Sequence, residues 1–339
     1  MNRVFVTGGS GFVGRNLIAA LRRRRIPESP DGPRPDLIQV RALARSEAAA
    51  DAVRDAGAEP VRGDLNDNDA LRAGMKGCDV AFHAAAKVEE WGDSAEFDRI
   101  NVEGTQGVLD AARAEGVRRV VHVSTEAVLA GGRPLRNADE SWPYPAQPAG
   151  EYARTKGRAE RRVLDANGDG LETVIVRPRL VWGPSDTSLL PKIVEAVKAG
   201  RFVWIGGGRY PTSTCHVANL AEGMILAAEK GRPGEIYFLS DGKSIEMRAF
   251  LTALLESVGV HPGNRSLPRW IALASAAVGE TVWRALRLRS QPPITRTAVR
   301  LFGQEVTVDD ARARQTLGYR PVISREEGLQ ALAAVCPGG

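Results

Sequence analysis

The run Val4-Phe5-Val6-Thr7-Gly8-Gly9-Ser10-Gly11-Phe12-Val13-Gly14 decides the fold. A short apolar strand pattern passes into glycines at 8, 11 and 14, and a helical pattern opens at Phe12. A glycine at such a turn takes backbone angles closed to other residues, a bare Cα lets a pyrophosphate come close, and the last glycine lets helix and strand pack tightly. The helix start then offers unpaired N–H groups and the positive end of its dipole. The run predicts a dinucleotide-binding loop at the head of a βαβ unit, with Gly8, Gly11, Phe12, Val13 and Gly14 lining the cofactor.

Outward from that loop, short apolar runs alternate with helical patterns. Val4 to Val6, Leu37 to Leu43, Val80 to Phe82 and Val117 to Val123 are brief and apolar, as strands buried on both faces are. Residues 12–25, 46–56, 68–76 and 95–115 read as the helical crossovers between them, which predicts an α/β fold built on a Rossmann-type, doubly wound parallel sheet. Leu171 to Arg177 extends the sheet. After Pro178 the alternation is lost, and it returns with a helix from His216 to Lys230 and the strand Ile236 to Leu239, closed by the turn Ser240-Asp-Gly242. The expected division is a cofactor domain of residues 1–180 with 216–242, and a smaller, mostly C-terminal substrate-binding lobe of 181–215 with 243–339. Arg22 to Asp36, with four successive arginines and then four prolines, reads as a solvated helix end followed by an exposed loop.

Length and composition are those of an ordinary globular protein: 339 residues, 43% hydrophobic and 26% charged. A net charge of +5 from 46 basic and 41 acidic residues gives no footprint for nucleic acid. Cys78, Cys215 and Cys336 are odd in number and lack metal-ligand spacing, so neither a disulfide framework nor bound metal is expected. Together with a start that lacks a secretory pattern, this places the chain in the cytoplasm. Trp270 to Leu288 is apolar, but Glu280 and Arg284 interrupt it before the roughly 20 residues that a spanning helix needs. With Arg284, Arg287 and Arg289 at its end, 270–289 reads as a membrane-surface helix or a lid over an apolar pocket.

Three further elements carry chemistry. At the end of the second strand stands Ala44-Arg45-Ser46, where an acid would bind a ribose 2′-hydroxyl and an arginine a 2′-phosphate, so Arg45 favours NADP over NAD. Tyr152 and Lys156 are four residues apart, on one face of a helix, and an ammonium beside a phenol lowers the cost of its anion. The strand Val121-His-Val123 runs into Ser124 and Thr125, and a hydroxyl at the C-terminal end of a parallel strand can donate to a substrate oxygen; Thr125 is the first choice and Ser124 the reserve.

These motifs resemble the extended short-chain dehydrogenase/reductase superfamily. Ala84-Ala-Ala-Lys-Val88 with Trp91-Gly92, Asn101-Val-Glu-Gly-Thr105 and Arg177-Pro-Arg-Leu-Val-Trp-Gly-Pro184 resemble, more narrowly, its branch of 3β-hydroxysteroid dehydrogenase/isomerases and sterol-4-carboxylate dehydrogenases. The resemblance implies an NAD(P)-dependent oxidoreductase that interconverts a secondary alcohol and a ketone on a hydrophobic, steroid-like or 3-oxoacyl-like substrate. It implies Thr125, Tyr152 and Lys156 as catalytic, with Lys156 also on the nicotinamide ribose. Asp64 and Leu65 would meet the adenine, Ala84, Ala85 and Ala86 the ribose and phosphates, and Pro178 the carboxamide; Asn101 would join the proton relay. The chain departs from the NAD-using steroid enzymes of that branch in having no acid at position 44. His216 reads as structural, and a homodimer is an expectation of the resemblance alone. The competing readings are a nucleotide-sugar epimerase or dehydratase on the same core, which needs polar and basic groups for a diphosphate, and a non-catalytic cofactor-sensing scaffold.

Overall fold

The computed structural model describes residues 1–24, 37–286, 288 and 290–335. Most of the proline-rich loop, together with Arg287, Arg289 and Cys336, lies outside the described residues. Seven parallel strands form the central sheet: β1 (Arg3–Thr7), β2 (Gln39–Ala44), β3 (Glu59–Arg62), β4 (Val80–His83), β5 (Arg119–Val123), β6 (Glu172–Pro178) and β7 (Ile236–Leu239). Their order is β7-β6-β5-β4-β1-β2-β3. The chain therefore reverses its direction of travel between β1 and β4, the crevice where open α/β sheets bind ligands.

Each element follows from its residues. In β1, Val4, Phe5 and Val6 are fully buried because helices cover both faces. Helix α1 (Phe12–Arg23) turns Leu17, Ile18 and Leu21 onto the sheet, each worth about 1.5–3 kcal/mol of burial. Helices α2 (Glu47–Asp55) and α3 (Asn68–Met75) are started by Ser46 and Asp67, whose side chains accept backbone N–H groups of the first turn. Arg24, expected as part of a solvated helix end, instead bonds Glu222 and Glu229 and ties the end of α1 to the helix before β7.

The long helix expected over 95–115 is broken. A single turn at Ser94–Phe97 passes into a π-helical turn at Asp98–Glu103, and only then does α4 (Gly104–Ala114) begin. The cause is Asn101, whose side chain is buried and must find polar partners. It accepts from Lys87 N at 2.7 Å, donates to Lys87 O at 3.1 Å, and donates to the Thr155 hydroxyl at 3.0 Å. π-turns of this kind are frequent at functional sites.

Helix α5 (Glu151–Asp165) packs beneath β5 and β6. Helix α6 (Leu190–Lys198) leaves the sheet, α7 (Val217–Lys230) returns to it, and α8 (Met247–Glu256), α9 (Arg269–Ala285), α10 (Arg296–Phe302) and α11 (Arg325–Val335) follow. A second, four-stranded sheet joins Ile245–Glu246, Pro211–Thr212, Val306–Val308 and Leu135–Ala138 in that order. It binds a loop of the first half to the C-terminal third. Helix α9 buries Ala272, Ala276 and Glu280 but exposes Trp270, Val278, Val282 and Leu286. Among the described residues no helix is long and apolar enough to cross a membrane.

Candidate active site

Because all seven strands are parallel, their C-terminal ends share one edge, and the segments that leave it bring the expected site residues together: Gly8 after β1, Arg45 after β2, Asp64 after β3, Ala84 after β4, Thr125 after β5 and Pro178 at the end of β6. At Gly8, with φ at +73°, a Cβ would stand 2.8 Å from Ala85 N; at Gly14 it would stand 2.1 Å from Gly8 O. The loop is thus folded on itself at distances no other residue tolerates, and it leaves the start of α1, where Gly11 supplies no side-chain cap, facing the crevice. This is the cradle a pyrophosphate requires.

At the far end, Arg45, Asp64, Asn66, Asp67, Asn68 and Asp69 line an open cleft of about 820 Å³. The carboxylates there have local duties: Asp64 accepts Asn66 N at 2.7 Å and Asp67 caps α3. Arg45 is exposed and, among the described residues, enters no ion pair, whereas the nearby Arg62 is engaged by Glu47. Ala44 is buried, so no acid faces a ribose there. Leu65 is tucked under Gly104 and Gly107, and Pro178 is buried opposite Leu239.

The candidate catalytic side chains follow β5. Thr125 starts the 3₁₀ turn Glu126–Leu129 by accepting Ala127 N at 3.2 Å, so the residue expected as a donor also serves as a cap. Its own proton goes to Glu126 Oε2 at 2.9 Å. Ser124 is buried with an unpartnered hydroxyl and meets the next strand only through its backbone. Tyr152 and Lys156 occupy successive turns of α5. Burial, followed by the Glu126 charge, raises the ionisation of the Tyr152 phenol well above the usual range for tyrosine, with Thr125 acting to lower it. Lys156 Nζ donates to Val123 O at 2.6 Å and approaches His122 Nε2 at 3.1 Å. Burial lowers its ionisation to about 8, with Glu160, one turn further along the helix, acting to raise it.

Sequence reasoning missed the polar framework behind this group. Thr105 donates to Asn101 O, so it accepts from His83 Nε2–H, and His83 Nδ1 accepts from Thr7. Thr7 in turn accepts Ala85 N, which closes a directional chain from the phosphate loop to the π-turn. Burial, with Lys156 adding to it, lowers His83 to about 3 and keeps it neutral. Glu126 and Arg179 form a buried ion pair at 2.6 Å. Arg179 also donates to Leu301 O at 2.8 Å, and Leu301 and Phe302 pack around Tyr152 and Ala153. Nothing in the local sequence marks that pair; its partners are 53 residues apart. Gly150, just before α5, meets Thr297 of α10 so closely that a Cβ would stand 2.1 Å from Oγ1, and Thr297 donates to Ala149 O at 2.9 Å. His216 is structural in its contacts: it caps α7 by accepting Ala218 N, and its ring packs edge-on to Trp182.

Residues 5–269 match the model of the 3-beta hydroxysteroid dehydrogenase/isomerase family. The chain is 51% identical over 337 residues to a 4-hydroxy-2-methyl-3-oxo-4-farnesyl-3,4-dihydroquinoline-1-oxide ketoreductase of Stigmatella aurantiaca, covering 99% of this chain and 97% of the relative. It is 36% identical to a 2-alkyl-3-oxoalkanoate reductase of Stenotrophomonas maltophilia, covering 98% of each. Among solved structures, a double mutant of the dTDP-glucose 4,6-dehydratase DesIV of Streptomyces venezuelae with NAD bound is 26% identical, with a TM-score of 0.72 over 98% of this chain and 96% of that one.

Proposed function

The chain belongs to the 3-beta hydroxysteroid dehydrogenase/isomerase family, and within it we propose an NADP-preferring ketoreductase in which Tyr152 delivers the proton. It is an NAD(P)-dependent oxidoreductase acting between ketone and secondary alcohol on hydrophobic substrates. The finer reading adds the cofactor, the residues and the direction. Its support is one observation: Thr125, Tyr152 and Lys156 follow the C-terminal end of β5 on the same edge as the glycine cradle.

When bound, the reduced nicotinamide supplies the hydride that forms the new C–H bond. Gly8, Gly11 and Gly14, with Phe12 and Val13 at the start of α1, hold the pyrophosphate; Ala84, Ala85, Ala86 and Pro178 flank the rest, and Asp64 and Leu65 border the adenine. Arg45, exposed and in no ion pair among the described residues, takes the 2′-phosphate. Tyr152 gives its proton to the substrate oxygen as the carbonyl is reduced, and Lys156 returns a proton to the phenolate. In this reading residues 1–180 with 216–242 carry the cofactor and the remainder encloses the substrate. We assign a cytoplasmic setting from the reduced cofactor pool that the reaction draws on. The exposed apolar face of α9 is the surface assigned to a lipid phase from which a lipophilic ketone is drawn, with a second copy of the chain as its competitor. The nucleotide-sugar reading has less support, because its relatives share the fold while the ketoreductases share up to half the sequence.

The test is a fluorescence titration with NADPH and NADH, followed by turnover on 3-oxosteroids, 3-oxoacyl compounds and prenylated cyclic ketones. Tyr152→Phe is expected to lose about 10²–10⁴-fold in kcat. Arg45→Ala is expected to weaken NADPH, and not NADH, by about 10–100-fold, the loss of a charge-assisted contact. Full turnover by Tyr152→Phe would overturn the mechanism, and tighter binding of NADH by the native protein would overturn the cofactor assignment.

A further inference from the structure

Lys156 is held from behind by strand β5. Its Nζ donates to Val123 O at 2.6 Å and lies 3.1 Å from His122 Nε2. An ammonium has three N–H groups and no lone pair, so toward it an imidazole nitrogen can only accept. Burial, with Lys156 and then His83 adding to it, holds His122 well below the usual histidine range and keeps the ring neutral. The one proton of that ring therefore sits on Nδ1, which is buried and has no partner among the described residues. His83 stands opposite on β4, its ring centre 5.0 Å away, and has the ordinary arrangement: Nδ1 is bonded to Thr7 and Nε2 to Thr105. Of two histidines at one level of the sheet, only the one that meets the lysine strands a donor. Buried donors are rarely left so, and here the orphan follows from the contact with Lys156.

We propose that His122 is a positioning residue for Lys156: His122 Nε2 and Val123 O take two of the three N–H groups of the ammonium, and the third is thereby aimed away from β5, to the side of phenol and cofactor. The proposal rests on the reading of Lys156 as the group that returns a proton to Tyr152, and goes beyond it by naming what orients Lys156. In the reaction the Tyr152 O–H bond breaks and its proton passes to the ketone oxygen as the carbonyl carbon gains hydride from the reduced nicotinamide. The ketone is reduced and the nicotinamide oxidised. The outward Lys156 N–H bond then breaks, its proton reaches the phenolate oxygen, and the bonding pair stays on Nζ as a lone pair. Because the two inward N–H groups remain bonded, that lone pair keeps the outward direction and takes its next proton from solvent. An amine without these anchors would turn about its Cε–Nζ bond. The titratable and charged groups around the ammonium are His122 of β5, His83 of β4, and Tyr152 and Glu160 of its own helix. Arg177 of β6 lies behind Glu160, and Glu126 of the 3₁₀ turn acts on Tyr152. The π-turn meets α5 through the neutral Asn101 and through Asp98, which Arg154 and Arg158 neutralise.

The test compares His122→Phe, which fills the space of the ring without an acceptor, and His122→Gln, which restores one, each assayed for reduction with NADPH on a ketone that the native enzyme turns over. His122→Phe is expected to lose about ten-fold in kcat, with the NADPH dissociation constant held within about three-fold. Its alkaline limb should fall at a pH about one unit lower than in the native enzyme, because an ammonium that loses an acceptor gives up its proton more readily. His122→Gln should return kcat to within about three-fold of native and restore the limb. A second measurement reads the native ring directly, by nitrogen NMR of the protein labelled in its four histidines, with His122→Gln identifying the resonance. At neutral pH Nδ1 should be protonated and Nε2 bare, and the Nε2 signal should move as Lys156 titrates near 8. An unmoved alkaline limb in His122→Phe, a His122→Gln variant as slow as His122→Phe, or a protonated Nε2 at neutral pH would overturn the proposal. If His122→Phe fails to fold, judged by its circular dichroism and NADPH binding, the native ring and its response to Lys156 decide alone. A native enzyme that reduces no ketone, or a Lys156→Met variant that keeps its rate, would instead overturn the functional reading on which this proposal stands.

Discussion

Two arginines separated by Pro178, Arg177 and Arg179, each hold a buried glutamate, and their settings differ. Arg177 grips Glu160 of α5 with Nε at 2.8 Å and Nη2 at 3.0 Å, and Tyr144 closes the group by bonding both partners. Arg179 offers Glu126 a single N–H and sends its other arm to a backbone carbonyl. In a continuing strand, residues two apart would share a face. The strand ends at Pro178, and Leu180 takes a left-handed backbone with φ at 46°, so the two side chains are free to part company. The lesson is that a two-pronged, enclosed pair commits both carboxylate oxygens to its arginine, whereas a one-pronged pair leaves one carboxylate oxygen to accept from something else. Here that something is Thr125.

The comparison can be broken most forcefully at the enclosed pair. Glu160→Ala leaves Arg177 buried without its counter-charge and is expected to cost about 3–5 kcal/mol in denaturant unfolding. The double variant Glu160→Leu/Arg177→Met should recover most of that loss while still reducing ketone, which a pair essential to the chemistry would not permit.

A second effect sharpens the contrast through Lys156. Burial holds its ionisation down at about 8 while Glu160 supports the ammonium from one turn away. Because the folded value lies below the unfolded one, the unfolded chain binds more protons between about pH 8 and 10, and stability gains with rising pH across that window. Losing Glu160 moves the folded value lower still and widens the window downward. In pH-dependent unfolding, the double variant should therefore begin its gain below pH 8; an unchanged onset would show that Glu160 has no hold on Lys156.

The smallest effect is expected at the surface. Arg24, which meets Glu222 and Glu229 in partly exposed pairs, should cost about 0–1 kcal/mol on change to alanine, an amount that salt erases. A loss matching that of Glu160→Ala would mean that enclosure is not what distinguishes these pairs.

How far the sequence could be read divides along the same line. The glycine loop and the Tyr152/Lys156 spacing were legible because both are local: Gly8, Gly11 and Gly14 within seven residues dictate a turn, and four residues dictate a helix face. The parallel strands of the first half were legible because each is a continuous apolar run. The π-turn at Asp98–Glu103 was not, since the partners that demand it, Lys87 and Thr155, come from other parts of the chain. Nor was the Glu126–Arg179 pair, whose arginine follows the neighbouring strand β6, or the small sheet that pairs Leu135 with Val306. Charge bookkeeping along the chain also cannot tell a solvated arginine from one that staples two helices, as Arg24 does.

The contact between Gly150 and Thr297 carries one more consequence. The helix that bears Tyr152 is clasped at its first turn by α10, at a distance that only a bare Cα permits. Two segments far apart in the chain are thereby keyed together like a tooth in a notch. A side chain added at position 150 would push α10 off the start of α5, so the seat of Tyr152 depends on a segment that arrives only near the end of the chain.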